Sequence, residues 1–161
     1  MSVLRRIRIA HAIEHATVAV LHERLGRRAP TIALSDPFGF SILSPYTESE
    51  VAAAAAEAVE RLRAGEHALA VSELCGSNLA VGGLLTAGAA LAAANGRPRQ
   101  NFPSAVAAAA LALVAVPAAG RWVQRTITVE PRVGGTAVRA VRRAGSVAGL
   151  PLLRVELAFA G

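Results

Sequence analysis

A chain of 161 residues is long enough for one domain with a sizeable core and too short for two large ones. It is 53% hydrophobic yet only 4% aromatic, and its mean hydropathy of +0.44 lies above that of an ordinary soluble domain. All 17 basic residues are arginine, and against 11 acidic ones they give a net charge of +6, which favours anionic partners. A single cysteine, Cys75, excludes both an internal disulfide and a cluster of thiols.

Arginines interrupt the apolar run Met1-Ser2-Val3-Leu4-Arg5-Arg6-Ile7-Arg8, so no cleaved secretory signal is expected. The spacing of Leu4, Ile7, Val18, Leu21 and Leu25 predicts a helix from about Val3 to Leu25, ended by Gly26. Thr31–Leu34 and Phe40–Leu43 read as strands joined by the turn-rich Ser35-Asp36-Pro37-Phe38-Gly39, a β-hairpin. Thr47 or Ser49 should cap a second, alanine-rich helix that reaches Arg63, with Gly65 stopping it. Ala68–Ser72 reads as a further strand leading to Cys75-Gly76-Ser77-Asn78. The tail reads as three strands, Thr126–Val129, Ala137–Val141 and Leu152–Phe159, too few to fold alone and so expected to join the same sheet.

Between Leu74 and Arg121 the only charged residues are Arg97 and Arg99. They divide two apolar stretches, Asn78–Ala94 and Phe102–Gly120. At 1.5 Å per residue the steps from Phe102 to Trp122 cover about 30 Å, the thickness of a hydrocarbon core. Two helices apolar all round would need more covering protein than this chain supplies, so a transmembrane hairpin is favoured over a soluble one. Small residues such as Gly82, Gly83, Gly88 and Ala107 would allow close helix approach, with Asn95–Asn101 as the tip. Arg61, Arg63, Arg121, Arg125 and Arg132 outnumber the two tip arginines, which places the polar segments on the cytoplasmic side of a bacterial inner membrane. The expected fold class is α+β, an antiparallel sheet with two helices plus a two-helix transmembrane hairpin. Its segments would be 1–76, 77–122 and 123–161.

The most specific motif is His11-Ala12-Ile13-Glu14-His15. Residues four apart share a helix face, so both imidazoles can reach one ion, with Glu14 beside the water that ion would hold. This H-x-x-E-H order is the inverted zinc-peptidase spacing. His22 is too far along the helix to serve as third ligand, and His67 follows a helix end. Cys75 is the better candidate, because a thiolate with two imidazoles leaves a fourth position open, as catalytic zinc or iron requires. The alternative readings are Cys75 as a small buried hydrophobe at a helix entrance, and His11 and His15 as polar-face residues or headgroup partners beside Arg5, Arg6 and Arg8.

The order of H-x-x-E-H helix, strand, Asp36-Pro37-Phe38-Gly39-Phe40-Ser41 turn and strand, helix, strand and Cys75-Gly76 resembles the superfamily uniting S-ribosylhomocysteine lyases with insulysin-type peptidases. The resemblance covers residues 11–78. It implies His11, His15 and Cys75 as metal ligands and Glu14 as the catalytic acid/base. The second cysteine of the lyases is missing from Phe38–Ser41, and the large substrate chamber of the insulysins is missing too. The whole chain, with Cys75-Gly76-Ser77-Asn78 before an apolar hairpin and Gly120-Arg121-Trp122 closing it, is also similar to a family of short bacterial membrane proteins without assigned function.

Two functions of different class follow. One is a membrane-anchored, metal-dependent hydrolase, a candidate peptidase, using Zn²⁺ or Fe²⁺ on a small-molecule or peptide substrate. The other is a non-catalytic integral membrane protein whose basic cytoplasmic domain docks on anionic lipid or a partner protein. Nucleic acid is not an expected partner, since no aromatic platform interleaves with the scattered arginines.

Overall fold

The computed structural model describes residues 1–26 and 29–160. The chain divides into two compact units, Met1–Val71 with Ile127–Gly161, and Ser72–Thr126.

The first unit is α+β. Helix α1, Val3–Leu25, starts at Ser2, whose hydroxyl accepts from the Arg5 amide, and stops at Gly26 in the left-handed conformation (φ 58°). Helix α2, Glu48–Arg63, opens on a capping box in which Thr47 and Glu50 satisfy each other's backbone amides. Glu48 and Glu50 in its first turn and Arg61 and Arg63 in its last both complement the helix dipole. Its buried residues Val51, Ala54, Ala55, Ala58, Val59 and Leu62 form one stripe, and their small size lets α2 lie close to α1. Strands β1 (Ile32–Asp36), β2 (Gly39–Leu43), β3 (Ala137–Val147) and β4 (Leu150–Ala158) make one antiparallel sheet in the order β1-β2-β4-β3. The alternation of Phe40 and Ile42 in β2 with Leu153, Val155 and Leu157 in β4 puts one face into the core shared with α1 and α2.

The tail strands therefore do join the hairpin sheet, as their sequence pattern demands. Two short segments differ from expectation. Residues expected as the strand Ala68–Ser72 instead carry a 3₁₀ turn, His67–Ala70, because a four- or five-residue apolar run fits a buried turn as well as a strand. Thr126–Val129 is not a strand either: the chain leaves the second apolar helix through a π-helical turn, Gln124–Thr128, despite its β-branched residues.

Two positions in the sheet make measurable demands. Gly39 adopts φ 147°, and a Cβ there would drive into the Val155 carbonyl oxygen. Gly39→Ala should therefore cost about 2–4 kcal/mol in denaturant unfolding, against less than about 1 kcal/mol for an exposed Gly→Ala change. On the opposite face Arg154 forms a two-pronged pair with Asp36, at 2.6 and 2.8 Å, across the intervening β2. The Arg154 hydrogen bonds hold the Asp36 carboxyl below its ordinary range, against an opposing effect of burial. A depressed carboxylate contributes stability above its unfolded pKa and loses it as pH falls through the folded one. Arg154→Gln should thus flatten the acid limb of the stability curve below about pH 4, by less than about 1 kcal/mol because the carboxylate is partly solvated.

The second unit is a helical hairpin. Helix α3, Gly76–Ala94, and helix α4, Phe102–Val123, pack along their length with Gly82 against Val116. At 19 and 22 residues they are about 28 and 33 Å long. Both are long and apolar enough to cross a membrane, and their outward residues are almost wholly uncovered. Asn95 in the left-handed conformation ends α3. Pro103 begins α4, where its missing amide hydrogen costs nothing.

Candidate metal centre

The i, i+3, i+4 spacing of His11, Glu14 and His15 sets all three side chains on one face of α1. Two distant segments of the first unit return to that face. The 3₁₀ turn brings the Ala70 carbonyl to 2.7 Å from His15 Nδ1, and the last residue of the π turn brings the Thr128 carbonyl to 3.1 Å from His11 Nδ1. The return after α4 is tied down further by the Glu130 amide donating to the Arg8 carbonyl and by Arg8 donating to the Val129 carbonyl.

A carbonyl oxygen can only accept, so both imidazoles donate from Nδ1, which in the neutral ring leaves the lone pair on Nε2. The rings stand edge to face with centroids 4.3 Å apart. His15 is 5% exposed, and its Nε2 is buried with no hydrogen-bond partner. Leaving a buried acceptor unmatched costs roughly 1–3 kcal/mol, which a ligand at that nitrogen would offset. A Nδ1–H held by a backbone carbonyl with Nε2 presented outward is also how metal-binding histidines are commonly oriented.

Glu14 is 7% exposed and receives a hydrogen bond on Oε2 from the Ser35 hydroxyl. Ser35 is on β1, so the β-hairpin fixes the carboxylate held beside the two imidazoles. Sequence reasoning missed Ser35, and nothing in the Ser35-Asp36-Pro37 turn composition distinguishes a carboxylate-orienting serine from an ordinary turn residue.

Of the remaining candidates, His22 lies farther along α1 and His67 begins the 3₁₀ turn. Cys75 belongs to the second unit, where it is the N-cap residue of α3 and its sulfur lies 3.0 Å from the Ser77 hydroxyl. The preceding loop is held by a buried polar knot. Gln124 accepts from the Ser72 amide and donates to the Ser72 carbonyl, both at 2.8 Å, and donates to Asn78 Oδ1 at 2.9 Å. Asn78 in turn donates to the Ser72 and Glu73 carbonyls. Gly120 is required beside this knot, because any Cβ there would occupy the Asn78 amide.

Residues 6–141 match the family described as Domain of unknown function (DUF6391). The chain belongs to this family. An uncharacterized protein of Picosynechococcus sp. (strain ATCC 27264 / PCC 7002 / PR-6) is similar, with 37% identity over 134 residues. That match covers 76% of this chain and 65% of the cyanobacterial protein, so it spans less than two thirds of the relative's length. No solved structure matches. The DUF6391 span takes in α1 from Arg6, the β-hairpin, Cys75 and both apolar helices.

Proposed function

We propose that this DUF6391 protein is a membrane-anchored, metal-dependent hydrolase in which His11, His15 and Cys75 hold Zn²⁺ or Fe²⁺ and Glu14 handles the proton. The observation that carries this reading is the buried, unpartnered Nε2 of His15, on a ring whose other nitrogen is fixed by Ala70. Cys75 follows Ala70, whose carbonyl holds His15, by only five residues, a short enough link to be compatible with a thiolate ligand from Cys75. The inverted motif puts two imidazoles on one face of α1, and Cys75, the only thiol in the sequence, is the third ligand that the resemblance implies. Two imidazoles and a thiolate fit tetrahedral zinc with a fourth position open.

The chemistry such an ion supplies is Lewis acidity, which acidifies water and polarises a carbonyl. Glu14 accepts the proton of the attacking water and delivers it to the leaving group, in the manner of a general base that becomes a general acid. Ser35 holds the carboxylate in place, and the Ala70 and Thr128 carbonyls hold the two imidazole tautomers. Resemblance to the inverted-motif peptidases supports hydrolysis of an acyl bond. The apolar hairpin supports anchoring in a bacterial inner membrane, with the arginine balance favouring a cytoplasmic first unit.

The test is a variant series in detergent-purified, tag-free protein. His11→Ala, His15→Ala and Cys75→Ser should each lower bound metal at least about tenfold, whereas Glu14→Gln should keep it. Loss of metal in Glu14→Gln would make that residue a ligand and overturn the assignment of roles. Wild-type protein that carries no metal and binds only anionic vesicles would replace the hydrolase with a non-catalytic basic membrane protein.

A further inference from the structure

The end of the hairpin that carries Cys75 combines three features that belong together at a membrane surface. Trp122, the only tryptophan, is 61% exposed near the end of α4, and Leu79, one turn into α3, is 82% exposed. Arg121 and Arg125 flank the tryptophan; Arg121 lies 3.7 Å from Glu73, while no acidic residue occurs anywhere from Leu74 to Val129. An amphipathic aromatic between a basic rim and an apolar helix marks headgroup depth. The polar knot agrees with that depth. The Ser72 amide and the Ser72 and Glu73 carbonyls are bonded by Asn78 and by the fully buried Gln124 rather than left to solvent, as backbone entering a bilayer requires.

We propose that this end of the hairpin is a binding surface for anionic phospholipid, and that the acyl ester of such a lipid is the bond the protein cleaves. The second clause rests on the hydrolase reading above. The ester carbonyls of a diacyl phospholipid lie at the boundary of headgroup and acyl chain, the layer in which Trp122 and the start of α3 are placed. A peptide bond has no such fixed depth. In the reaction, water oxygen bonds to the ester carbonyl carbon and the bond from that carbon to the glycerol oxygen breaks. Glu14 carries the proton from water to the departing alkoxide, so fatty acid and lysophospholipid are the products.

The lone Trp122 reports the surface without a label. In full-length protein reconstituted with phospholipids brominated high or low on the acyl chain, shallow bromines should quench Trp122 more strongly than deep ones. Brominated phosphatidylglycerol should quench more than brominated phosphatidylethanolamine. Arg125→Gln should cut that preference about fivefold, the effect of one basic residue near an anionic leaflet. Unquenched Trp122, stronger quenching by deep bromines, or equal quenching by both headgroups would overturn the lipid surface. For the substrate clause, metal-loaded wild type should release fatty acid from phosphatidylglycerol vesicles and Glu14→Gln should not. Metal-bound protein with correctly quenched Trp122 and no fatty-acid release overturns the substrate alone. Absence of bound metal overturns the hydrolase reading and leaves the quenching result standing.

Discussion

Essentially all of this protein should remain in carbonate-washed membranes, and detergent should be needed to release it. The expectation comes from uncovered apolar surface. Leu79, Leu84 and Leu91 on α3 and Leu111, Leu113 and Val114 on α4 are exposed, and the alanine-rich faces between the helices are too narrow to bury them. A contiguous apolar surface of that extent is not stable in water, and the two lengths of about 28 and 33 Å suit a hydrocarbon core. An arginine placed mid-span should be correspondingly costly, about 2.5–3.5 kcal/mol for Leu84→Arg or Leu111→Arg, and should lower the membrane-inserted fraction sharply. Quantitative recovery of wild type in the detergent-free soluble fraction would contradict the membrane reading. A reporter fused at the C-terminus should stay cytoplasmic if arginine asymmetry sets the topology.

The second large effect is on stability. An ion bound to the folded chain and not to the unfolded one stabilises by RT ln(1 + [L]/Kd), about 4 kcal/mol when free metal is a thousandfold above Kd. A chelator should therefore lower the thermal midpoint by several degrees, and readdition of Zn²⁺ should restore it. His11→Ala should abolish the chelator response. His15→Ala should do the same. Glu14→Gln should respond to chelator like wild type. An identical midpoint for wild type and His11→Ala, with and without chelator, would contradict the proposed centre.

Much of the fold is legible because its elements carry local signals. Apolar spacing and Gly26 set α1, Thr47 is one of two cap candidates for α2, and short apolar or β-branched runs give the four strands of the sheet. Ala68–Ser72 and Thr126–Val129 were not legible. Each is a short apolar or β-branched run whose conformation depends on where tertiary structure needs a backbone carbonyl, and both segments supply one to a histidine of α1. The site divides in the same way. His11, Glu14 and His15 are readable from helical periodicity, since three side chains on one face need only one helix. Ser35, Ala70 and Thr128 are not, because their roles arise from contacts over 21, 55 and 117 positions of chain. The Asn78–Gln124–Gly120 knot likewise joins three residues that look unremarkable until α3 and α4 pack together.

The measurement closest to the central claim is X-ray absorption at the zinc or iron edge, on protein purified without a histidine tag and quantified for metal. One ion per chain is expected, with two imidazole nitrogens at about 2.0–2.1 Å and one sulfur at about 2.3 Å, the sulfur contribution vanishing in Cys75→Ser. Metal-free protein, or an ion bound with no sulfur in its shell, would contradict the account.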